Sequence, residues 1–302
     1  MRRLPCQALA YGVGARHASP GVKNVDVIHT IEILEKRLRG AGVISFVPTM
    51  GNLHAGHLEL VRIAREQGET VVVSIFVNPL QFGPKDDFQK YPRTLEEDCA
   101  LLRTAGCDVV FAPSVEEMYP APQQVEIIPP AIADELCGAF RPGHFQGVAT
   151  VVAKLFNIVR PAVAVFGKKD YQQLCVIRAM VRQLNYPVRI AAAETSRAED
   201  GLALSSRNTY LSAQKRQEAP RLYRVLKGIA DRLRQGQRDF AALEEGACRA
   251  LAAQGWRVDY ISIRDPHTLL PPAGSSERFV VLGAAWLGTT RLIDNVEVST
   301  DS

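Results

Sequence analysis

Five short, almost wholly apolar runs punctuate the chain, at 43–47, 71–77, 108–111, 162–166 and 188–192. Runs of this length without polar alternation suit strands buried on both faces. Stretches with helical periodicity alternate with them, at 25–39, 56–67, 94–104, 146–159 and 171–184. The alternation predicts an α/β fold with a doubly wound, Rossmann-like parallel sheet. Ligands in such sheets bind in the crevice at the carboxyl ends of the strands. Three polar segments, 48–57, 78–83 and 167–173, directly follow predicted strands. After residue 193 the texture changes. A Ser- and Arg-containing loop at 194–208 leads into helical patterns at 213–234 and 240–254, then strand-like runs at 257–263, 278–282 and 290–293. This predicts a smaller C-terminal α+β domain. The expected division is an N-terminal extension (1–24), the Rossmann-like domain (25–193) and a lid domain (194–302).

Charge narrows the partners. A net charge of +4 over 302 residues is mildly basic and suits small anionic substrates. Lys and Arg form no long runs and no aromatic-interleaved stretch, which argues against nucleic acid. No apolar run is long enough to span a bilayer, so no membrane association is expected. The six cysteines contain no Cys-x-x-Cys, and free thiols in a reducing cytoplasm are expected. The first 24 residues carry Arg2, Arg3, Arg16 and Lys23 and no acid. That is a weak likeness to a transit peptide. A poorly ordered extension, or a start site further along, is the simpler reading.

The segment 48–57 reads Pro-Thr-Met-Gly-Asn-Leu-His-Ala-Gly-His between a strand and a helix. Backbone N–H groups at a helix start favour anions, and Gly51 and Gly56 admit close approach. Gly51 and Gly56 have the spacing of a P-loop, but His57 and Leu58 stand where Lys and Ser/Thr are required. The expected chemistry is phosphate handling by imidazole donors. Asn78 and Gln81 offer amides for hydroxyls and carboxylates. The loop 84–91, ending at Tyr91, has the polarity of a lid. Arg141 and His144 open a long helix, again favouring an anion. Lys168 and Lys169 sit at a strand's carboxyl end, where Lys serves as a mobile phosphate charge. Ser205, Ser206 and Arg207 combine hydroxyls with a guanidinium suited to an oxyanion-rich leaving group.

The His-Ala-Gly-His turn resembles the H-x-G-H motif of the nucleotidylyltransferase and class I aminoacyl-tRNA synthetase superfamily. The wider wording resembles the pantothenate synthetase (pantoate–β-alanine ligase) family. So do Phe-Val-Asn-Pro-Leu-Gln-Phe-Gly at 76–83, Arg-Pro-Gly-His-Phe-Gln-Gly-Val at 141–148 and Phe-Gly-Lys-Lys-Asp-Tyr-Gln-Gln at 166–173. The Ser-Ser-Arg segment resembles the family's counterpart of the Lys-Met-Ser-Lys-Ser loop. This resemblance runs from about Val25 to Val296. It implies ATP-dependent joining of pantoate to β-alanine through pantoyl adenylate, with Mg²⁺, in a cytoplasmic homodimer. It implies an ATP site from Pro48, Thr49, Met50, Gly51, His54, Gly56, His57, Phe166, Gly167, Lys169, Asp170, Ser196, Leu204, Ser205 and Arg207. His54, His57, Lys169, Ser205, Ser206 and Arg207 would act on the reacting phosphates. Gln81, Gln173, Asn78 and Met50 would hold pantoate, with Tyr91 as a gate and Arg141 and His144 facing the site. Glu97 or Asp98 would support Mg²⁺. Two positions depart from the family wording: Ser196 replaces the usual Val, and Leu204 the common Met. Two other readings stay open here, another nucleotidylyltransferase and a non-catalytic nucleotide binder. Gln81 and Gln173 argue against the first. The intact set of His54, His57, Lys169 and Arg207 argues against the second.

Overall fold

The computed structural model describes residues 24–83 and 88–300. In chain order the elements are β1 (Asp26–Ile28), α1 (Ile31–Leu38), β2 (Ile44–Thr49), α2 (Ala55–Gln67), β3 (Thr70–Ile75), α3 (Leu95–Ala105) and β4 (Val109–Phe111). Then follow α4 (Val115–Met118), α5 (Cys137–Phe140), α6 (His144–Val159), β5 (Val163–Gly167), α7 (Tyr171–Gln183) and β6 (Arg189–Ala193). The remainder forms α8 (Ala213–Glu218), α9 (Arg221–Arg234), α10 (Phe240–Ala252), β7 (Arg257–Arg264), β8 (Arg278–Leu287) and β9 (Thr290–Ser299).

The first six strands make one parallel sheet in the order β1-β4-β3-β2-β5-β6. Alternate residues of its strands point to opposite faces. Phe46, Val72, Phe111 and Ala164 pack under α6 and α7, whereas Val47, Val71, Val73, Val110 and Val165 pack under α2 and α3. Both faces are therefore apolar, which is why the strands read as continuous apolar runs. In α6, 11 of 16 residues are buried, so this helix is central rather than amphipathic. From β2 the chain winds outward through β3 and β4, then returns to place β5 on the other side of β2. β2 and β5 pair only at Ser45–Val163 and Phe46–Ala164. Beyond that they diverge, and a crevice opens at this switch point.

The expectation of one helix over 25–39 is corrected. Asp26–Ile28 pairs in parallel with Val109–Phe111, and α1 begins only after its Thr30 cap. The three-residue strand exists because β4 supplies a partner more than 80 residues away, which no local pattern reports. The expected helix at 213–234 divides into α8 and α9 around Pro220. Proline has no N–H and crowds the preceding turn, so an unbroken helix there is disfavoured.

The C-terminal strands form an antiparallel sheet, β7-β8-β9. Strands β8 and β9 run well past the apolar runs at 278–282 and 290–293, because β8 continues through Gly283 and β9 pairs with it along its whole length. A Cβ at Gly283 would lie 2.8 Å from Ile261 Cδ1 and 3.0 Å from Leu226 Cδ2. The glycine thus marks where α9 presses on the sheet, not a strand end. Phe279, Val281 and Ala285 face α9 and α10, while Val280 and Leu282 turn toward Leu136 and Tyr171 of the first unit. This second sheet therefore packs against the first unit at Tyr171, the start of α7. Among the described residues, no helix is long and apolar enough to cross a membrane. Cys99, Cys107, Cys137, Cys175 and Cys248 are free thiols. The expectation for residues 1–23 and the tip of the lid, 84–87, falls outside the described residues.

Candidate active site

The turn after β2 is built from within. His54 caps α2: its Nδ1 accepts from Gly56 N–H at 3.1 Å, and His57 Nδ1 accepts from His54 N–H at 3.3 Å. This is a capping box made of two imidazoles. A Cβ on Gly56 would lie 2.9 Å from His54 Cε1, so the ring folds back only over glycine. The consequence is chemical. With Nδ1 accepting on both rings, each neutral imidazole carries its proton on Nε2. Burial lowers the His54 pKa from 6.5 to about 4, helped by Lys169. Burial, then His54 and Lys169, lowers that of His57 to about 3. Near neutrality both rings are uncharged N–H donors with centroids 4.1 Å apart. The sequence pointed to backbone N–H groups and imidazoles together as anion donors. The histidines consume two of those backbone N–H groups and present their own.

These shifts set a pH dependence. Because the folded pKa values lie below 6.5, the unfolded chain binds protons first as pH falls. Stability should therefore decline from about pH 6.5 downward, and the loss from these rings should be complete near pH 3. A ring-resolved nuclear magnetic resonance titration should find both imidazoles neutral and Nε2-protonated at pH 5.5. Titration of either ring near 6.5 would overturn this.

Asp98 holds the same turn from behind. Its carboxylate accepts from Leu53 N–H at 2.7 Å, Asn52 N–H at 2.9 Å and Thr94 Oγ1 at 3.2 Å. Burial pushes its carboxyl above the usual range, against the pull of those donors. The residue is 1% exposed, and its neighbour Glu97 lies on the outer surface of α3. Of the two acids suggested for Mg²⁺, Asp98 has its oxygens committed to these donors, whereas Glu97 is open to solvent. No group of three or more His, Cys, Asp or Glu among the described residues is arranged to hold a metal.

Across the crevice, β5 ends in the turn Lys168–Asp170, and the two lysines separate there. Lys168 Nζ is bound by Glu194 at 2.5 Å and Glu297 at 2.6 Å. Among the described residues, the acid that Lys169 Nζ approaches is Asp170, at 3.9 Å, and the lysine lines the cleft. Confinement pushes the Asp170 carboxyl up, but Lys169, Arg207, His144 and His57 outweigh it and leave the group below the usual range. Adjacent glutamines separate likewise. Gln172 is spent inside, donating to Ile132 O and Glu135 O at 2.8 Å each, while Gln173 faces the cleft.

The floor is an amide relay. Gln81 Nε2 donates to Met50 Sδ at 3.0 Å, and its Oε1 accepts from Asn78 Nδ2 at 3.1 Å. Asn78 Oδ1 in turn accepts from Tyr119 OH at 2.8 Å. His144 stands behind this arm, its Nδ1 2.8 Å from Gln81 O and its Nε2 3.0 Å from Arg141. If Arg141 donates to Nε2, Nδ1 carries the proton and donates to the carbonyl. His144 therefore supports Gln81 rather than lining the cleft. Tyr91 is 6% exposed, packed against Phe82 with Arg207 over its ring at 5.9 Å.

The arm after β6 is less of a loop than its polarity suggested. Arg197 bridges Ala203, and Ala198 N–H donates to Leu202 O at 2.9 Å, forming a small hairpin. Arg197 binds both oxygens of Asp294, at 2.7 and 2.9 Å, and stacks 3.8 Å above Tyr223. Ser205 caps the next turn, and Ser206 Oγ donates to Asn52 O at 3.0 Å. The Ser-Ser-Arg arm is thereby latched to the His54–His57 turn.

One cavity of about 220 Å³ gathers almost every sequence-predicted residue: Pro48, Thr49, Met50, His54, Gly56, His57, Asn78, Gln81, Tyr91, Phe166, Gly167, Lys169, Asp170, Gln173, Ser196, Leu204, Ser205, Ser206 and Arg207. Gly51, Glu97, Asp98, Arg141 and His144 are outside it. Lys169, Asp170, Ser205 and Arg207 also line a second cavity of about 640 Å³ between the two sheets, which Arg141 borders. Sequence reasoning missed Asp98 as the brace of the turn. Its spacing from Leu95, Cys99 and Leu102 is that of one helix face, a signal that it points inward.

A switch-point cleft with two neutral imidazole donors on one wall and Lys169 and Arg207 on the other defines an H-x-G-H nucleotidyl-transferring enzyme. The pantoate–β-alanine ligase family model matches residues 24–297. The chain is 59% identical over 275 residues to the pantothenate synthetase of Methylobacillus flagellatus, covering 91% of this chain and 99% of that one. It is 58% identical over 275 residues to that of Neisseria meningitidis serogroup A, with 91% and 99% covered. The crystal structure of pantothenate synthetase from Thermus thermophilus superposes with a TM-score of 0.87 at 48% identity, covering 91% and 100%. Pantoate–β-alanine ligase from Francisella tularensis, complexed with β,γ-ATP and β-alanine, gives 0.77 at 34%, covering 90% and 97%. The chain belongs to the pantoate–β-alanine ligase family, and its activity is that ligation.

Proposed function

We propose that pantoate is adenylated by ATP in the cleft between β2 and β5, and that β-alanine then captures the acyl group. A pantoate carboxylate oxygen attacks the α-phosphorus and the bond to the bridging oxygen breaks, releasing pyrophosphate. The β-alanine amine next attacks the acyl carbon, AMP leaves and pantothenate forms. The chain supplies no nucleophile of its own. The observation that carries this reading is the gathering of His54, His57 and Lys169 in one cavity with Gln81 and Gln173. The imidazoles donate neutral N–H bonds, while Lys169 and Arg207 add full positive charge where the leaving oxyanion develops. Such fixed donors need no reorganisation during the reaction. Gln81, braced by Asn78 and Met50, and Gln173, whose amide makes no hydrogen bond to a described residue, are suited to the pantoate hydroxyl and carboxylate.

A cavity of about 220 Å³ is smaller than the roughly 300–1,000 Å³ of ordinary ligand pockets. ATP on this reading therefore extends into the neighbouring cavity past Lys169 and Arg207. Mg²⁺ enters as the counter-ion of the ATP phosphates, with no carboxylate cluster among the described residues as its resident site. The parallel-sheet unit, 25–193, holds both substrates, and residues 194–302 act as its lid. Shielding of the acyl adenylate from water follows from that cover. A cytoplasmic location accords with the soluble substrates.

The test is AMP release from ATP, Mg²⁺, pantoate and β-alanine. Dependence on both organic substrates is expected. Pyrophosphate without amine-dependent AMP would make the chain a simple nucleotidylyltransferase, and no turnover would reject catalysis. The homodimer belongs to the same reading. Val125 and Ile128 are 79% and 86% exposed on an extended segment, a surface apolar enough for a second copy. Sedimentation velocity should find a dimer that Ile128→Lys weakens, and a wild-type monomer would reject it.

A further inference from the structure

We propose that Asn295, on the C-terminal sheet, is a positioning residue for Lys169. Its single amide nitrogen has two hydrogens, and two carbonyls take them: Lys168 O at 2.9 Å and Lys169 O at 3.0 Å. The match is complete and leaves the turn no slack. The turn Lys168–Asp170 has no side-chain cap of its own, and neither does the start of α7. Its geometry therefore comes from outside, from β9.

The rest of β9 reinforces this. Along a strand, alternate residues share a face. Asn295 and Glu297 point to the lysine turn, where Glu297 binds Lys168 Nζ at 2.6 Å and Tyr171 OH at 2.6 Å. Asp294 points the other way and holds Arg197, at the root of the hairpin that leads to Ser205 and Arg207. Three residues within a four-residue stretch, Asp294, Asn295 and Glu297, thus fasten both arms. Lys168 locks its side chain into this clamp, so that Lys169, next along the turn, is aimed at the cleft. The C-terminal sheet is then more than a cover: its seating sets the position of the phosphate-binding lysine.

This inference rests on the phosphate role of Lys169, and a double-mutant cycle separates the two. Adenylation is read as the single-turnover release of pyrophosphate with enzyme in excess over ATP. Asn295→Asp places an acceptor against two carbonyls and should slow adenylation about tenfold to a hundredfold, the scale of a displacement near 1 Å. In a Lys169→Ala background the same change should cost less than about twofold, because the group it positions is gone. Equal losses in both backgrounds, or no loss in the wild-type background, would overturn the positioning role. A Lys169→Ala enzyme at the wild-type rate would instead reject the assignment of Lys169 itself. Melting curves accompany each variant, and Asn295→Ala, which removes both donors without adding charge, replaces Asn295→Asp in the cycle if that variant does not fold.

Discussion

His57→Ala is expected to lower pantoate-dependent adenylation by about two to three orders of magnitude, the usual loss when one preorganised donor to a developing oxyanion is removed. The ring is neutral, its Nδ1 is held by the His54 backbone N–H, and its remaining N–H borders the cleft with Lys169. Removal deletes a donor that acts where charge develops. It also uncaps one N–H of α2, at about 1 kcal/mol. That is too small to unfold a domain, so the melting curve should move only slightly while the rate collapses. A rate loss matched by a large loss of stability would demote His57 to a structural cap. Turnover at the wild-type level would remove it from the mechanism.

The second large effect is expected at Asp98, and it is of the opposite kind. Asp98→Ala leaves Asn52 N–H and Leu53 N–H without their acceptor in a buried turn. Each orphaned donor costs about 1–3 kcal/mol, so the two together put the expected loss at about 2–6 kcal/mol in urea unfolding. Activity should fall with it, since the turn carries His54 and His57. The Mg²⁺ concentration for half-maximal activity should stay where it is in the wild type. A variant of normal stability that demands much more Mg²⁺ would restore Asp98 as a metal ligand.

The two residues show how differently sequence exposes a site. The strand, the turn and the helix around His57 are consecutive, so a local reading of 43–67 finds nearly the observed bounds of β2 and α2. Asp98 lies 45 residues from its partner Leu53. In sequence it looks like one more acid in the first turn of a helix, beside Glu96 and Glu97. Its spacing from Leu95, Cys99 and Leu102 hints that it points inward, but the donors it meets there are set by the packing of α3 against the rest of the fold. The same limit explains β1, whose partner strand is remote, and the hairpin at 197–203, which reads as a loop until Asp294 closes on Arg197.

By itself, the sequence determined what short-range physics controls. That covers the buried parallel strands, the helices between them, the glycine-bounded His54–His57 turn and the residues brought to the carboxyl edge of the sheet. Tertiary structure decided how neighbours with the same chemistry divide their work. Lys168 is spent on Glu194 and Glu297 while Lys169 faces the cleft, and Gln172 is spent on Ile132 and Glu135 while Gln173 remains available. Adjacent side chains leave a helical turn in different directions, and which direction meets substrate depends on what packs against the other. Here the decisive partner is β9, more than 120 residues away in the chain. No local pattern encodes that distance, yet it holds the turn that carries Lys169.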